Sequence, residues 1–174
     1  LYDGPSVADA NDSCTDHPRV DEIPPSLLPS NPNEACIVAT LAPGPHTALL
    51  TGTGAGVGLI EMFELDGAQR MVNLSTRSPV GTGDEVLIGG LVITGNQPHT
   101  VVIRAIGPSL APHGVDGALR DPHPTLYSGP NVIDANGDWG THPDAGNLPA
   151  HLIPLDPAES AILVTLPPGA YTAI

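Results

Sequence analysis

Short apolar runs separated by turn-forming residues are the main pattern of this 174-residue sequence. Val, Ile, Leu and Thr are concentrated in stretches of four to nine residues, each bounded by Gly, Pro, Asn or Asp. Such runs are typical of β-strands, and helical periodicity does not persist beyond about two turns. We therefore predict an all-β fold, an antiparallel β-sandwich of the immunoglobulin-like or jelly-roll-like kind. The predicted strands are residues 36–40, 46–50, 57–65, 85–88, 90–93, 100–106 and 161–166.

The segments between these runs carry turn signals. Pro-Gly pairs at 43–44 and 168–169 predict hairpin turns, because Pro presets φ and Gly readily adopts a positive φ. The Pro-rich segments 18–33 and 143–157 show no strand pattern, and we expect ordered loops there. Segment 108–119 comes nearest to a helical pattern, but Pro and Gly interrupt it, so we expect only a brief 3₁₀ turn.

An internal repeat organises the chain. Residues 1–49 match residues 126–174 at a constant offset of 125 positions without a gap, and 22 of the 49 positions are identical. The Asp-Ala-Asn sequence at 9–11, for example, returns at 134–136. An old duplication inside one domain is the alternative explanation, but a period of this length equals a whole β-sandwich domain. We therefore interpret the match as a tandem repeat of about 125 residues.

The repeat is seen in a circularly shifted window. We interpret residues 1–72 as the C-terminal part of one repeat and residues 73–174 as most of the next, lacking its last strands. Since segment 50–125 occurs once and the matched segment twice, one copy lacks partners. We expect an open sheet edge that a neighbouring molecule completes by β-strand addition, unless the chain is a window on a longer array. The residues predicted to form these assembly strands are Cys36, Ile37, Val38, Leu49, Leu50, Val57, Leu59, Ile60, Met62, Phe63, Ile162, Val164 and Ile174.

The charge of the chain narrows the range of partners. Five Lys and Arg residues face nineteen Asp and Glu residues, which gives a formal net charge of -14. Such a surface repels phosphate backbones and anionic lipid headgroups, so we expect no nucleic-acid partner. No apolar run approaches the roughly 20 residues that span a bilayer. The large excess of acidic over basic residues suits an exported protein, and we expect an extracellular or cell-surface location.

Several motifs carry a family resemblance. They are residues 73–77 (NLSTR), 81–84 (GTGD), 87–90 (LIGG), 103–110 (IRAIGPSL), 159–162 (ESAI) and 168–172 (PGAYT). The chain resembles the tandem β-sandwich repeats of large secreted bacterial surface proteins, which conventionally begin near an Asn-Leu-Ser-Thr-Arg element. The expected lack of some strands of the domain also resembles extracellular bacterial fibril subunits, which assemble by donor-strand exchange. The resemblance departs at Cys14, where the family pattern is closer to the Trp139 of the other copy.

The resemblance implies a structural role without catalysis, because these repeats carry no established catalytic motif. The leading hypothesis is a structural subunit of an extracellular fibre or surface array, assembled head to tail from copies of itself. The alternative is a Ca²⁺- or glycan-binding adhesion module of a large secreted surface protein. Only five aromatic residues are present, which argues against a platform for stacking sugars. Because catalytic residues do not cluster in the sequence, we do not expect an enzyme.

The two cysteines predict a disulfide. Cys14 and Cys36 match Trp139 and Ala161 in the other copy, a large and small pair that suggests contact between the two positions. In an exported protein a disulfide follows naturally, and closing a loop of this size stabilises by about 3 kcal/mol in the chain-entropy model. The alternative is a pair of buried free thiols.

A short acidic loop is a candidate cation site. Asp134, Asn136 and Asp138 alternate around a Gly, as in part of a Ca²⁺-binding loop, although no bidentate Glu follows at EF-hand spacing. An Asx-type turn, in which the side chains bond their own backbone, is the competing interpretation. Ca²⁺ is the only cofactor that the sequence suggests.

The remaining candidates are isolated residues. Asn11 and Asn73 fit the N-glycosylation pattern, which also arises often by chance. His17 and His142 share one repeat position and each precedes a Pro, which indicates a structural corner more than a metal ligand. We expect Glu159 to be a structural partner of a buried Arg104.

Overall fold

The computed structural model describes residues 1–31, 33–53, 56–65 and 71–174. The chain separates into two compact units, unit 1 (Leu1–Met71) and unit 2 (Val72–Ile174). Unit 1 contains β1 (Tyr2–Asp3), β2 (Ser6–Val7) and β3 (His46–Thr47), and unit 2 contains β4 (Gly89–Ile93), β5 (His99–Ala105), β6 (Thr125–Ser128), β7 (Asn131–Ala135), β8 (Ser160–Leu166) and β9 (Gly169–Ala173). The 3₁₀ turns are Cys14–Asp16, Val20–Glu22, Pro25–Leu27, Pro108–His113, Trp139–Thr141, Ala145–Asn147 and Ala150–Leu152.

Two antiparallel sheets form unit 2. One has the order β4-β9-β6-β7, and the other pairs β5 with β8 over seven residues. Alternate side chains of these strands point to one side, so Ile93, Leu126 and Tyr171 of the first sheet join Ile162 and Leu166 of β8 in one buried cluster. Burying side chains of this size stabilises by about 1.5–3 kcal/mol each. This cluster is the hydrophobic core of unit 2.

Unit 1 contains much less strand. Its sheet has the order β2-β1-β3, and each strand is two residues long. Its pairs repeat those of unit 2 at the offset of 125: Tyr2 lies opposite Val7 and Thr47, as Tyr127 lies opposite Val132 and Thr172. The described hydrophobic side chains that are buried in unit 1 are Cys14 and Val38.

The expectation of a mostly β protein with antiparallel sheets is confirmed. The predicted strands 90–93, 100–106 and 161–166 correspond to β4, β5 and β8, whose ends differ by at most one residue from prediction. Predicted strand 46–50 is confirmed only over β3. A brief 3₁₀ turn in segment 108–119 is also confirmed, as the six-residue turn Pro108–His113.

Three predicted strands are wrong. Residues 36–40, 57–65 and 85–88 form no strand. Residues 36–40 match most of β8, which is a strand because β5 pairs with it, and unit 1 contains no segment that matches β5. For residues 85–88, Gly89 already lies opposite Ala173, so the register carries them past the end of β9. An apolar β-branched run forms a ladder only where a second strand meets it.

Both predicted hairpin turns are also wrong. β8 pairs with β5, whereas β9 pairs with β4 and β6, so the Pro168-Gly169 turn carries the chain from one sheet to the other. Pro43-Gly44 likewise precedes β3, which pairs with β1. The tight hairpins lie elsewhere, at the Gly-Pro pairs 4–5 and 129–130, where the glycines have φ of 55° and 54°. Such positive φ values favour Gly at the first turn position.

Candidate functional site

Glu159 is the most densely hydrogen-bonded side chain of unit 2. It is fully buried immediately before β8. Its Oε1 accepts from the Gly107 amide at 3.0 Å, the Ser109 amide at 2.9 Å and the Ser109 hydroxyl, and its Oε2 accepts from the Asp156 amide at 3.4 Å. The carboxylate thus joins the loop after β5 to the start of β8.

The expectation that Glu159 pairs with a buried Arg104 is wrong. Arg104 is exposed and donates from Nη1 to the Leu152 carbonyl at 3.4 Å. The reason is strand alternation: on β5 Ile103 packs against the core, so the next side chain points to the opposite face. Main-chain amides take the place of the guanidinium as donors to the carboxylate.

Hydrogen bonding lowers the pKa of Glu159. Burial raises this pKa, because it disfavours the charged form. Hydrogen bonds from Ser109, Gly107 and Asp156 lower it by more, so the net pKa lies below the ordinary value of 4.5. The carboxylate is therefore ionised at neutral pH, and the hydrogen bonds that it accepts are charge-assisted.

The local sequence explains how the loop presents its amides. Pro108 begins the 3₁₀ turn after Gly107, so the amides at its start have no acceptor within the turn. Gly107 passes so close to Leu119 that a Cβ atom there would collide with the Leu119 carbonyl oxygen. The Gly-Pro-Ser sequence therefore fits a close backbone crossing and a carboxylate acceptor at the same point.

Glu34 is the matched residue of unit 1, and its surroundings differ. Its main chain is held in the same way: the Cys14 amide donates to the Glu34 carbonyl at 2.8 Å, as the Trp139 amide does to the Glu159 carbonyl at 2.8 Å. The Glu34 side chain, however, is exposed and takes no hydrogen bond from the described residues. Unit 1 also has a Gly-Pro-Ser sequence, at residues 4–6, but it forms the turn between β1 and β2 and gives the Glu34 side chain no hydrogen bond.

The apolar residues that follow Glu34 are also more exposed than the matched residues that follow Glu159. Ile162 and Leu166 of β8 are 0% and 2% exposed, whereas the identical matched residues Ile37 and Leu41 are 37% and 45% exposed. Thr165 shares a hydrogen bond of 2.8 Å with Thr100 across the β5–β8 ladder. Unit 1 therefore carries apolar side chains of β8 without the strand that covers them.

A second group of exposed apolar side chains lies in residues 49–53 and 56–65, which we call the arm. None of these residues forms a strand. A Cβ atom on Gly58 would meet Leu50 Cδ2 at 2.5 Å, so the two described parts of the arm come together there. The exposed large apolar residues of the arm are Leu49, Leu50, Val57, Leu59, Ile60, Met62, Phe63 and Leu65.

The other predicted assembly residues are placed differently. Ile162 is in the core, and Val164 of β8 packs against it. Val38 is buried in unit 1, and Cys36 forms a disulfide. Ile174 is partly exposed and exchanges two backbone hydrogen bonds with Thr125, which continue the β6–β9 ladder. The predicted residues thus fall into covered and uncovered sets, and the uncovered set lies mainly in unit 1.

A buried His hydrogen-bonded to a partly exposed Asp occurs in each unit. His142 Nε2 lies 3.1 Å from Asp134 Oδ2, and its Nδ1 accepts from the Asp144 amide at 3.2 Å. Since Nδ1 is an acceptor, Nε2 carries the proton and donates to the carboxylate. His17 and Asp9 form the matched pair at 3.1 Å, and this hydrogen bond lowers the pKa of Asp9.

The candidate Ca²⁺ loop uses most of its oxygens internally. Asp134 accepts from His142 and from the Ala135 amide, and Asn136 Oδ1 lies 3.0 Å from the Ser160 hydroxyl. Within the described ranges, no group of three or more His, Cys, Asp or Glu side chains could hold a metal ion. The Ca²⁺ site stays a prediction. Adding excess EDTA tests this prediction. If the melting temperature is unchanged, the loop is a turn that binds no Ca²⁺.

The structure contains the disulfide Cys14–Cys36, whose Cα atoms lie 4.7 Å apart. The Cys36 amide donates to Asn11 Oδ1 at 3.0 Å, and Asn11 Nδ2 donates to the Ser13 carbonyl at 2.9 Å. Asn11, a predicted glycosylation acceptor, thus uses its side-chain amide to hold the disulfide loop. Asn73, the other predicted acceptor, is exposed and lies outside the strands.

Comparisons with known proteins add no relative. Family models, curated protein sequences and solved structures give no match to this chain. In the part of the chain that the structure describes, no helix is long and apolar enough to cross a membrane. The resemblance to tandem repeats of bacterial surface proteins therefore stays a prediction.

Proposed function

We propose that this chain is a structural subunit of an extracellular fibre or surface array, joined head to tail to copies of itself by β-strand complementation. In this proposal the units are incomplete parts of β-sandwich repeats of about 125 residues, seen in a circularly shifted window. The proposal involves no catalytic step and no nucleic-acid partner.

The observation that carries the proposal is the contrast between matched residues of the two units. Glu159, Ile162 and Leu166 are buried beneath or beside β5 and its following loop. The matched Glu34, Ile37 and Leu41 are identical in type and exposed. A surface built from the side chains of a paired strand, but lacking that pair, is a template for strand addition.

The arm supports the same proposal from the energetic side. Leu59 and Phe63 are 77% and 54% exposed, and six other large apolar residues of the arm are exposed with them. A large group of exposed apolar side chains is typical of an interaction site. Covering a side chain of this size stabilises by about 1.5–3 kcal/mol, so a contact that buries even half of the arm offsets several kcal/mol of association cost.

The charge and the disulfide bear on location. Disulfides persist in oxidising compartments, so the Cys14–Cys36 bond supports an exported protein. A net charge of -14 keeps separate copies soluble through mutual repulsion, and we therefore expect assembly to strengthen as salt screens the charge.

Electron microscopy and light scattering of the purified chain test the proposal. We expect regular fibres or oligomers whose size increases with protein concentration. Replacing two arm residues, as Leu59→Asp with Phe63→Asp, should weaken association at least about tenfold, because charges cannot enter an apolar contact.

Leu155→Asp is the matched control, since Leu155 is a highly exposed apolar residue of unit 2 outside the arm. This variant should assemble as the parent does. A parent chain that stays monomeric at high concentration and high salt would overturn the proposal, as would equal effects of the arm and control variants.

A further inference from the structure

Residues 121–124, with the sequence Asp-Pro-His-Pro, form the segment that leads into β6. Asp121 and His123 each precede a Pro, and this position favours extended backbone. Burial alternates along the segment as in an extended chain, because Pro122 and Pro124 are buried whereas Asp121 and His123 are exposed. The two exposed side chains therefore lie on one side, where His123 Nε2 is 3.1 Å from Asp121 Oδ1.

A glycine in the loop after β7 makes room for the His123 ring. A Cβ atom on Gly137 would lie 2.5 Å from His123 Cε1 and 2.7 Å from His123 Nδ1, so a larger residue there would displace the ring. The backbone of this loop thus packs against His123 and positions it beside Asp121, although both side chains are more than half exposed.

An Asp-Pro bond with an imidazole beside it has the parts of an intramolecular cleavage reaction. The Asp carboxylate is tethered close to its own carbonyl carbon, and such proximity strongly favours reaction. Pro122 has no backbone N–H, so its nitrogen cannot attack the carboxyl group and close a succinimide instead. An imidazole can donate the proton that the departing nitrogen needs. We infer that the bond between Asp121 and Pro122 is a self-cleavage site, with the Asp121 carboxylate as nucleophile and His123 as proton donor.

The reaction is the hydrolysis of one peptide bond in two steps. A carboxylate oxygen of Asp121 bonds to the Asp121 carbonyl carbon, the bond from this carbon to the Pro122 nitrogen breaks, and the nitrogen leaves with a proton from the His123 imidazolium. Asp121 is then a cyclic anhydride, which water opens to two carboxylates with release of two protons. One proton restores the imidazolium and the other protonates the new amino group of Pro122. Water is the only co-reactant, and nothing is oxidised or reduced.

The other Asp-Pro bond of the chain, between Asp156 and Pro157, has different surroundings. Asp156 Oδ1 accepts a hydrogen bond from the Ala158 amide at 2.9 Å. None of the His–Asp pairs among the described residues involves Asp156. Because this bond shares the dipeptide but not the imidazole, it is an internal control for the reaction.

Cleavage at this site would leave the two products associated. β4 and β5 precede the bond, and they pair with β9 and β8, which follow it. Glu159 also joins the two parts through the amides of Gly107 and Ser109. We therefore expect the products 1–121 and 122–174 to remain one particle until they are denatured. The inference goes beyond the proposed function and does not depend on whether the chain assembles.

Incubation of the purified chain in mildly acidic buffer tests the inference. Denaturing gels and N-terminal sequencing should reveal a fragment that begins Pro-His-Pro-Thr, whereas gel filtration should show an unchanged particle size. Cleavage should be faster at about pH 5 than at neutral pH, because the imidazole must carry the proton that it donates. It should also be at least about ten times faster than cleavage between Asp156 and Pro157.

Substitutions separate the roles of the two side chains. His123→Gln keeps a hydrogen-bonding side chain but removes the proton donor, and we expect cleavage to slow at least about tenfold. Asp121→Asn removes the carboxylate and should abolish cleavage by this route. His151→Gln, at an exposed His elsewhere in unit 2, is the matched control and should cleave as the parent does. Trp139 fluorescence checks that each variant is folded.

Three results would overturn the inference. One is a bond between Asp121 and Pro122 that stays intact over the whole pH range. Another is equal cleavage of the two Asp-Pro bonds, and the third is a His123→Gln chain that cleaves at the parental rate. The chain unfolded in urea gives a further comparison, because Gly137 positions the imidazole only in the folded chain. The unfolded chain should therefore cleave more slowly, and an equal rate would also overturn the inference.

Discussion

Residues 1–49 of unit 1 match residues 126–174 of unit 2, but the matched side chains differ in how far they are buried. In unit 2, Glu159 receives four hydrogen bonds and Leu166 is buried. In unit 1, the identical Glu34 and Leu41 are exposed. The matched segments have the same side chains at these positions, so the difference comes from β5 and the loop that follows it. Whether these side chains are buried therefore depends on the segment that packs against them and not on their own sequence.

The comparison also separates local from non-local structure. The 3₁₀ turns Pro25–Leu27 and Ala150–Leu152 occur at matched positions, with backbone hydrogen bonds of 2.8 Å in both units. Turns of this kind depend on residues close in sequence, so both units form them. Residues 36–41, by contrast, form no strand although they match β8. Ladders depend on distant residues, and unit 1 lacks those.

The largest expected effect comes from removing the carboxylate of unit 2. Glu159→Ala leaves buried amides without an acceptor, and we expect it to lower the free energy of unfolding of unit 2 by about 3–5 kcal/mol. Urea unfolding followed by the fluorescence of Trp139, the only tryptophan of the chain, measures this loss.

Glu34→Ala is the matched control in unit 1. Because the Glu34 side chain is exposed, its removal should change stability by no more than about 0.5 kcal/mol. Equal losses from the two variants, measured by hydrogen exchange in each unit, would contradict the contrast between the units.

Reducing the Cys14–Cys36 disulfide should affect unit 1 alone. The bond closes a loop with a sequence separation of 22 residues, and its loss should destabilise unit 1 by about 3 kcal/mol in the chain-entropy model. We expect faster amide exchange across residues 1–49 after reduction, with an unchanged Trp139 unfolding transition. A shift in that transition would show that the units are not independent in stability.

A methyl group on Gly107 should weaken the crossing that holds Glu159. Gly107→Ala forces a Cβ atom against the Leu119 carbonyl oxygen, and we expect a loss of about 1–3 kcal/mol. Gly90→Ala is the control, since a Cβ atom there meets nothing within 4 Å. Thermal unfolding of the two variants should differ clearly, and similar melting temperatures would mean that the loop relaxes without cost.

The smallest expected effect is a pH dependence of unit 2. The folded pKa of Glu159 is lowered, so its contribution to stability is present above the ordinary pKa of 4.5 that it has in the unfolded chain, and is lost as pH falls through the folded value. Trp139 unfolding measured between neutral and acidic pH should show this loss. Glu159→Gln removes the titrating group and should flatten the profile, whereas an unaltered slope would assign the pH dependence to other carboxylates.

Sequence patterns predicted the parts of the fold where apolar runs find partners. β4, β5 and β8 are rich in β-branched residues and lie next to strands that cover them. β6 and β7 were missed because Ser128, Asn131 and Asp134 interrupt their apolar pattern. Their position depends on the tight turn at Gly129 and on pairing with β9, which no local pattern reports.

The site was predicted in part. The sequence singled out Glu159, but as a partner of Arg104, one of the few basic residues of the chain. Its donors are mainly main-chain amides, which carry no residue-type signal. The available clues were the recurrence of Glu at 34 and 159 and a Gly-Pro-Ser sequence that leaves amides free at the start of a turn.

The passage of the chain between the two sheets at Pro168-Gly169 has a mechanical consequence. β9 has hydrogen-bonded neighbours on both sides, so tension along it must shear two ladders in one step. The two-residue strands of unit 1 offer no such resistance. When the chain is pulled from its ends, we therefore expect unit 1 to unfold at a lower force than unit 2.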